Sequence, residues 1–143
     1  MYTECFSFFV GIDKYENRKE LDFCCLNANL IRSQLIKNGF NEEEDNILLN
    51  ENATKDRICK KIEEKIDFFK NKDEFEKENT LFVFYFCGRM VKKKNEFFFF
   101  PHDFDDQNFH DSSLSYSFIS QKIDILPSKH KLILMDGCFE GER

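Results

Sequence analysis

The sequence predicts an α/β fold, a mainly parallel sheet covered by helices on both faces. Three observations carry this. The β-forming runs Phe6–Ile12, Thr80–Cys87 and Lys131–Asp136 are continuously apolar rather than alternating, as strands buried on both faces are. Segments with helical spacing of apolar residues lie between them. The 143 residues, 41% hydrophobic with 19 Phe, suffice for one domain, 1–143, with a substantial core.

Taken in order, Phe6–Ile12 is a buried strand bounded by the polar segment Asp13–Glu20. Leu26–Asn38 carries a helical stripe at Leu26, Leu30, Ile31 and Leu35 and ends at Asn38-Gly39, a good C-cap pair. Asn46–Asn50 is a short strand. Ala53–Lys70 opens with Thr54 as N-cap and repeats apolar residues at Ile58, Ile62, Ile66 and Phe69. Asn71–Asn79 is charged and predicts a surface loop. Thr80–Cys87 is the most apolar run and the best central strand. The Lys92-Lys93-Lys94 run is the solvated tip of a hairpin between Met90 and Glu96, and Phe97–Phe100 is a short strand stopped by Pro101. The polar stretch 102–113 predicts a loop, Ser113–Ile125 a weaker helix, and Lys131–Asp136 the last buried strand.

Composition removes several function classes. Twenty-one Lys and Arg against 27 Asp and Glu give a net charge of −6, which lacks the basic footprint of a nucleic-acid or anionic-membrane surface. No apolar run approaches the roughly 20 residues that span a bilayer, and the N-terminus lacks the basic start of a secretory signal. A soluble, cytoplasmic chain with reduced thiols is the expectation. The six cysteines contain no C-x2-C pair, and His102, His110 and His130 lie apart from them, so no zinc site is predicted. Most of these thiols read as small buried hydrophobes.

Ligands of open parallel sheets bind beyond the carboxyl ends of the strands. Two such ends carry unusual residues: Cys87-Gly88-Arg89-Met90, and Asp136-Gly137-Cys138-Phe139-Glu140-Gly141. In the second, glycines flank a cysteine. A tight turn there would present the thiol beside backbone N–H groups, which is how a thiolate nucleophile and an oxyanion site are built together.

These residues, with four further segments, resemble the caspase domain of clan CD cysteine peptidases, in its metacaspase and bacterial caspase-like branch. FFVGIDKY is similar to the first strand of that family, LDFCCLNANLIRSQLIKNGF to its L-x-G-C-V-N-D-A helix, and DNILLNENATKDRICKKIEE to its second strand and following helix. TLFVFYFCGRM resembles the strand ending in S-G-H-G, FFFFPHDFD the P-x-D segment, and KLILMDGCFEG the D-[SA]-C-[HF]-S-G nucleophile motif. The resemblance covers nearly the whole chain, in order, and corresponds to the large-subunit portion. It implies a three-layer sandwich with order 2-1-3-4 for the four main strands. It places Cys138 at the catalytic thiol, Gly88 and Cys138 at the oxyanion site, and Asp136 in an acidic pocket for Arg or Lys.

The departures are specific. The catalytic His position holds Arg89, the C-x-x-D of the basic-specific pocket reads Cys24-Cys25-Leu26-Asn27, and the last Ser of the nucleophile motif is Glu140. The aspartate of that pocket is therefore Asn27, close in shape but uncharged. Arginine stays protonated near neutrality and can neither take nor give the proton that amide hydrolysis requires. Two readings of Arg89 stand open: its guanidinium lies beside Cys138 and favours the thiolate, or it pairs with Glu140 or Glu96. Asn27 and Asp136 likewise have bland readings, as a helix-start residue and as the cap of a strand-end turn. No cofactor is expected; the clustered aspartates of calcium-dependent relatives are reduced to Asp111, with Asp103, Asp105 and Asp106 as the remaining oxygen donors.

The leading expectation is a pseudoprotease that binds a peptide or protein, a small-subunit segment or an active caspase-like relative. The alternative is an active caspase-like cysteine endopeptidase using another base, such as His102 or His130. A redox-responsive α/β module is a third class. Ending at Glu142-Arg143, the chain also fits a subunit processed after a basic residue.

Overall fold

A computed structural model describes residues 1–142, so the reading of Arg143 as a processing point lies outside the described residues. The chain is mixed α/β. Its elements are β1 (Glu4–Gly11), α1 (Cys24–Lys37), β2 (Ile47–Leu49), α2 (Lys55–Lys70), α3 (Glu74–Glu78), β3 (Thr80–Lys93), β4 (Glu96–Phe99), α4 (Phe109–Ser112), β5 (Leu114–Ser115), α5 (Tyr116–Ile125) and β6 (His130–Glu142). The sheet runs β2-β1-β3-β4-β5, and β6 also pairs with β3. β1 is parallel to β2 and β3, and β3 is parallel to β6, whereas β3–β4 and β4–β5 are antiparallel. The four main strands thus follow the expected order, within a sheet of mixed rather than mainly parallel direction.

β3 organises this arrangement. β6 lines one of its edges from Leu81 to Lys92. The other edge is shared, by β1 from Thr80 to Cys87 and by β4 from Met90 to Lys93. The aromatic residues of β1 and β3 face two cores. Phe6, Phe8, Val10, Phe82, Phe84 and Phe86 pack with Ile58, Ile62, Ile66 and Phe69 of α2 and Ile119 and Ile123 of α5. Phe9, Tyr85 and Cys87 pack with Cys24 and Ala28 of α1.

Helix α2 buries the predicted stripe at 58, 62, 66 and 69, and Thr54 caps it by accepting from the Arg57 backbone N–H. Helix α1 departs from its prediction. Its inward residues are Cys24 and Ala28, with Ile31 and Leu35 partly buried, while Leu26 and Leu30 are half exposed. The reason lies opposite, at Gly11. A Cβ there would come within 2.8 Å of the Cys24 carbonyl and 2.9 Å of the Ala28 Cβ, so the missing side chain lets this face of α1 sit directly on the sheet.

Two predicted loops contain helix. Asp73 and Glu76 form a reciprocal capping box that holds α3 within the charged 71–79 segment, and α4 forms within 102–113. The predicted helix at Ser113 starts at Tyr116, after the two-residue β5. The lysine run makes the hairpin tip as read, with Lys93 paired to Glu96 and Lys94 at φ 57°.

The larger correction concerns the strand ends. Cys87-Gly88-Arg89-Met90 and Gly137–Glu142 are extended and paired, with Gly88 opposite Gly137 and Arg89 opposite Cys138. Gly137 therefore makes no tight turn. Its need for glycine is steric: a Cβ would fall 1.8 Å from the Met90 Sδ. Mutations in the larger core test the packing account directly. Phe8→Ala, at a fully buried position, should cost about 3–5 kcal/mol of unfolding free energy in urea titration, with the denaturant slope unchanged.

Candidate functional site

The carboxyl ends of β1, β3 and β6 bring together two polar groups. The first surrounds Arg89. Its Nη1 donates to Glu140 Oε1 at 2.5 Å and its Nη2 to the Lys19 carbonyl at 2.5 Å. Its backbone N–H donates to the Tyr15 hydroxyl oxygen at 2.7 Å, and the guanidinium lies 5.7 Å from the Tyr15 ring centre. Its Nε is buried and has no partner among the described residues. Glu140 also receives Arg18 Nη1 at 3.1 Å, and Arg18 Nη2 binds Asp106 at 2.8 Å. The Arg18 guanidinium sits over Phe100 and Phe104, at 5.1 and 5.2 Å from the ring centres. Side-chain exposures of 14% for Arg89, 11% for Glu140 and 16% for Arg18 show a cluster largely withdrawn from water.

Of the two readings of Arg89, the structure shows pairing with Glu140. Glu96 is engaged elsewhere, accepting from the backbone N–H and hydroxyl of Ser117. Cys138, directly across the ladder from Arg89, is exposed. The histidines serve other contacts. His102 Nδ1 bonds the Lys14 carbonyl at 2.7 Å, His130 bonds the Tyr2 hydroxyl, and His110 meets the Phe98 and Phe109 rings edge-on. His130 opens the strand that carries Cys138, which separates the two by about 26 Å at the rise of extended backbone.

The second group lies under the first turn of α1. Asp13, leaving β1, caps that helix: Oδ1 accepts from the Cys24 N–H at 2.7 Å and Oδ2 from the Cys25 N–H at 3.1 Å. Tyr85 donates its hydroxyl to Asp136 Oδ2 at 2.8 Å, and Asp136 is the register neighbour of Cys87. Cys87 packs with Cys24 and Tyr85 in the smaller core, and Asn27 lies within electrostatic reach of it. Asn27 and Asp136 therefore converge through Cys87 and Tyr85. Gly88 is buried next to them, and a Cβ on it would lie 2.6 Å from the Tyr15 hydroxyl.

The electrostatics follow from burial and these bonds. The neighbouring Cys24 thiol, then Tyr85 and Asn27, hold the Cys87 thiol below its ordinary value. The neighbouring Cys87, with burial, pushes Cys24 up. Burial, then the Asp13 carboxylate, raises Cys25 to about 11. Burial, then Asp136, raises Tyr85, and burial raises Tyr15.

Two of the aspartates weighed as oxygen donors bind protein groups. Asp103 accepts from the Lys55 N–H, and Asp105 from the Gln107 N–H and the Asn108 amide. No group of three or more His, Cys, Asp or Glu among the described residues is arranged to hold a metal ion. No helix of the described chain is long and apolar enough to cross a membrane. A surface pocket of about 320 Å³, lined by Ile47, Arg57, Lys60 and Glu64 among others, contains none of the site residues.

Sequence reading brought Asn27, Gly88, Arg89, Asp136 and Cys138 to one end of the sheet. It missed Arg18, Tyr15 and Tyr85, and it singled out Asp106 as an oxygen donor rather than as the partner of Arg18. Arg18 carries no local signal, being one charged residue in a polar loop; Tyr85 read as strand core. No protein-family model matches the chain, and no curated protein matches it.

The cluster has a measurable signature. Glu140→Ala strands the largely buried Arg89 cation and should cost about 3–5 kcal/mol, whereas the double variant Arg89→Met with Glu140→Leu, which removes both charges and keeps the volume, should be nearly neutral. Chemical denaturation of both variants checks the asymmetry.

Proposed function

We propose that the chain is a caspase-like domain that keeps the nucleophile position, has lost the proton carrier, and acts by binding a peptide or protein. In this reading the fold is the three-layer sandwich of that family, the protein is cytoplasmic, and no cofactor takes part. The observation that carries it is the ion pair between Arg89 and Glu140 on the two strands that meet beside Cys138. A cysteine peptidase must deliver a proton to the leaving amine, and a guanidinium tied to a carboxylate does not supply it. Losing general acid–base help alone costs about 10²–10⁴-fold in rate.

Asn27 and Asp136 supply the recognition surface in this reading. They present an amide and a carboxylate close together, which suits a basic or hydrogen-bonding side chain held without cleavage. The partner is a peptide segment, a small-subunit segment or an active relative of the same fold. Among the described residues β6 pairs with β3 alone, and this edge, with Leu132, Met135 and Phe139 about half exposed, favours partners that add backbone to the sheet.

Turnover on a mixed-sequence fluorogenic peptide library separates this reading from an active endopeptidase. The wild-type chain should match its Cys138→Ala blank. The double variant Arg89→His with Glu140→Ser restores the imidazole and removes the carboxylate that would hold it, and should gain cleavage that disappears when Cys138→Ala is added. Cleavage by the wild type above its blank overturns the reading.

A further inference from the structure

We propose that Cys24 and Cys87 are a redox pair, closed to a reversible disulfide by a small peroxide, that clamps the first turn of α1 to β3. The proposal is independent of any peptidase ancestry, since neither thiol is the nucleophile candidate.

The geometry comes from the sheet register. Gly11 and Cys87 are direct neighbours across the β1–β3 ladder, so their Cβ directions share a face. From Gly11 that direction meets the Cys24 carbonyl and the Ala28 Cβ. The Cys87 side chain consequently emerges under the same helical turn, and both thiols belong to the small core formed with Phe9, Ala28 and Tyr85. Within that core the two thiols are electrostatic neighbours, each shifting the other. The Asp13 carboxylate fixes the helix end through two backbone N–H groups, so the pair does not rely on a mobile loop for its approach. Adjacent Cys25 is committed elsewhere, donating to the Gly11 carbonyl at 3.3 Å.

The surroundings also divide the roles. Cys87 packs beside Cys24 in this core with Asn27 within reach, surroundings that hold its thiol below its ordinary value and make it the attacking group. At 7% and 3% exposure, Cys24 and Cys87 are closed to a peptide disulfide, so the proposed oxidant is one as small as hydrogen peroxide. In the first step the Cys87 sulfur attacks one peroxide oxygen. The O–O bond breaks, and the departing oxygen takes the thiol proton and leaves as water. In the second step the Cys24 sulfur displaces the hydroxyl of the resulting sulfenic acid, which leaves as water with the Cys24 proton. Two thiols lose two electrons in all, and one peroxide becomes two waters. A dithiol reductant reverses the change.

The test uses the whole folded chain. After brief exposure to hydrogen peroxide, free thiols are blocked with N-ethylmaleimide in denaturant, and the digest is mapped by mass spectrometry without reduction. The expected result is a dominant Cys24–Cys87 linked peptide, loss of both blocking labels at those positions, and their return after dithiothreitol. The oxidised chain should melt several degrees above the reduced one, because the link closes a long loop in the unfolded state. Cys24→Ser and Cys87→Ser should each abolish the link. Full recovery of label on both thiols while exposed Cys138 is oxidised overturns the proposal, as do links spread without preference over Cys24, Cys25, Cys87 and Cys138. Should either serine variant fail to fold, the wild-type map decides alone.

Discussion

The structure depends on β3 being paired along both of its edges. A strand in that position has its backbone donors and acceptors satisfied on either side, so its side chains are free to be uniformly apolar. Phe82, Val83, Phe84, Tyr85 and Phe86 are all buried as a result. The same pairing extends beyond the end of β1, where β4 takes over one edge and β6 continues along the other. That extension carries Gly88 and Arg89 out of the hydrophobic centre while keeping them on rigid backbone. Tyr15 then holds the Arg89 amide, and Gly88 leaves room for the Tyr15 hydroxyl.

Within this frame the charges arrange themselves by desolvation. A guanidinium as little exposed as that of Arg89 needs a carboxylate and further acceptors, and it finds Glu140 and the Lys19 carbonyl. Glu140 in turn sits between two arginines, the second supported by aromatic faces and Asp106. Such a cluster contributes little net stability, because desolvation offsets most of the attraction, but it is costly to break from one side. It fixes the geometry of the paired strands next to Cys138.

Much of the fold was legible in the sequence because burial leaves a strong periodic signal. The stripe of α2 and the runs of β1 and β3 are read directly from residue spacing. The stripe of helix α1 is legible in Ile31 and Leu35 but not in its first turns, because Leu26 and Leu30 are more apolar than the inward Cys24 and Ala28. What turned the helix was close approach over Gly11, a property of a strand far away in sequence. The glycines beside Cys138 misled for a similar reason: glycine marks either a turn or a tight contact, and only Met90 across the ladder distinguishes them. Pairing between Arg89 and Glu140 was foreseen as one of two options. Arg18 was not, since its position over Phe100 and Phe104 depends on tertiary packing. The convergence of Cys24, Asn27 and Cys87 required knowing how α1 sits on the sheet.

The register of β3 also has a kinetic consequence. Its partners are remote along the chain: Glu4 meets Thr80, and Arg89 meets Cys138. Parallel ladders of this kind form only after long loops have closed, so their entropy cost falls early and their hydrogen bonds arrive late. Helix α2, built from local contacts and its own cap, is able to form well before them. The polar groups at the carboxyl ends of β1, β3 and β6 come into being only when three separate stretches of chain have docked. Nothing of that constellation exists in a partly folded molecule, and its appearance reports completion of the sheet.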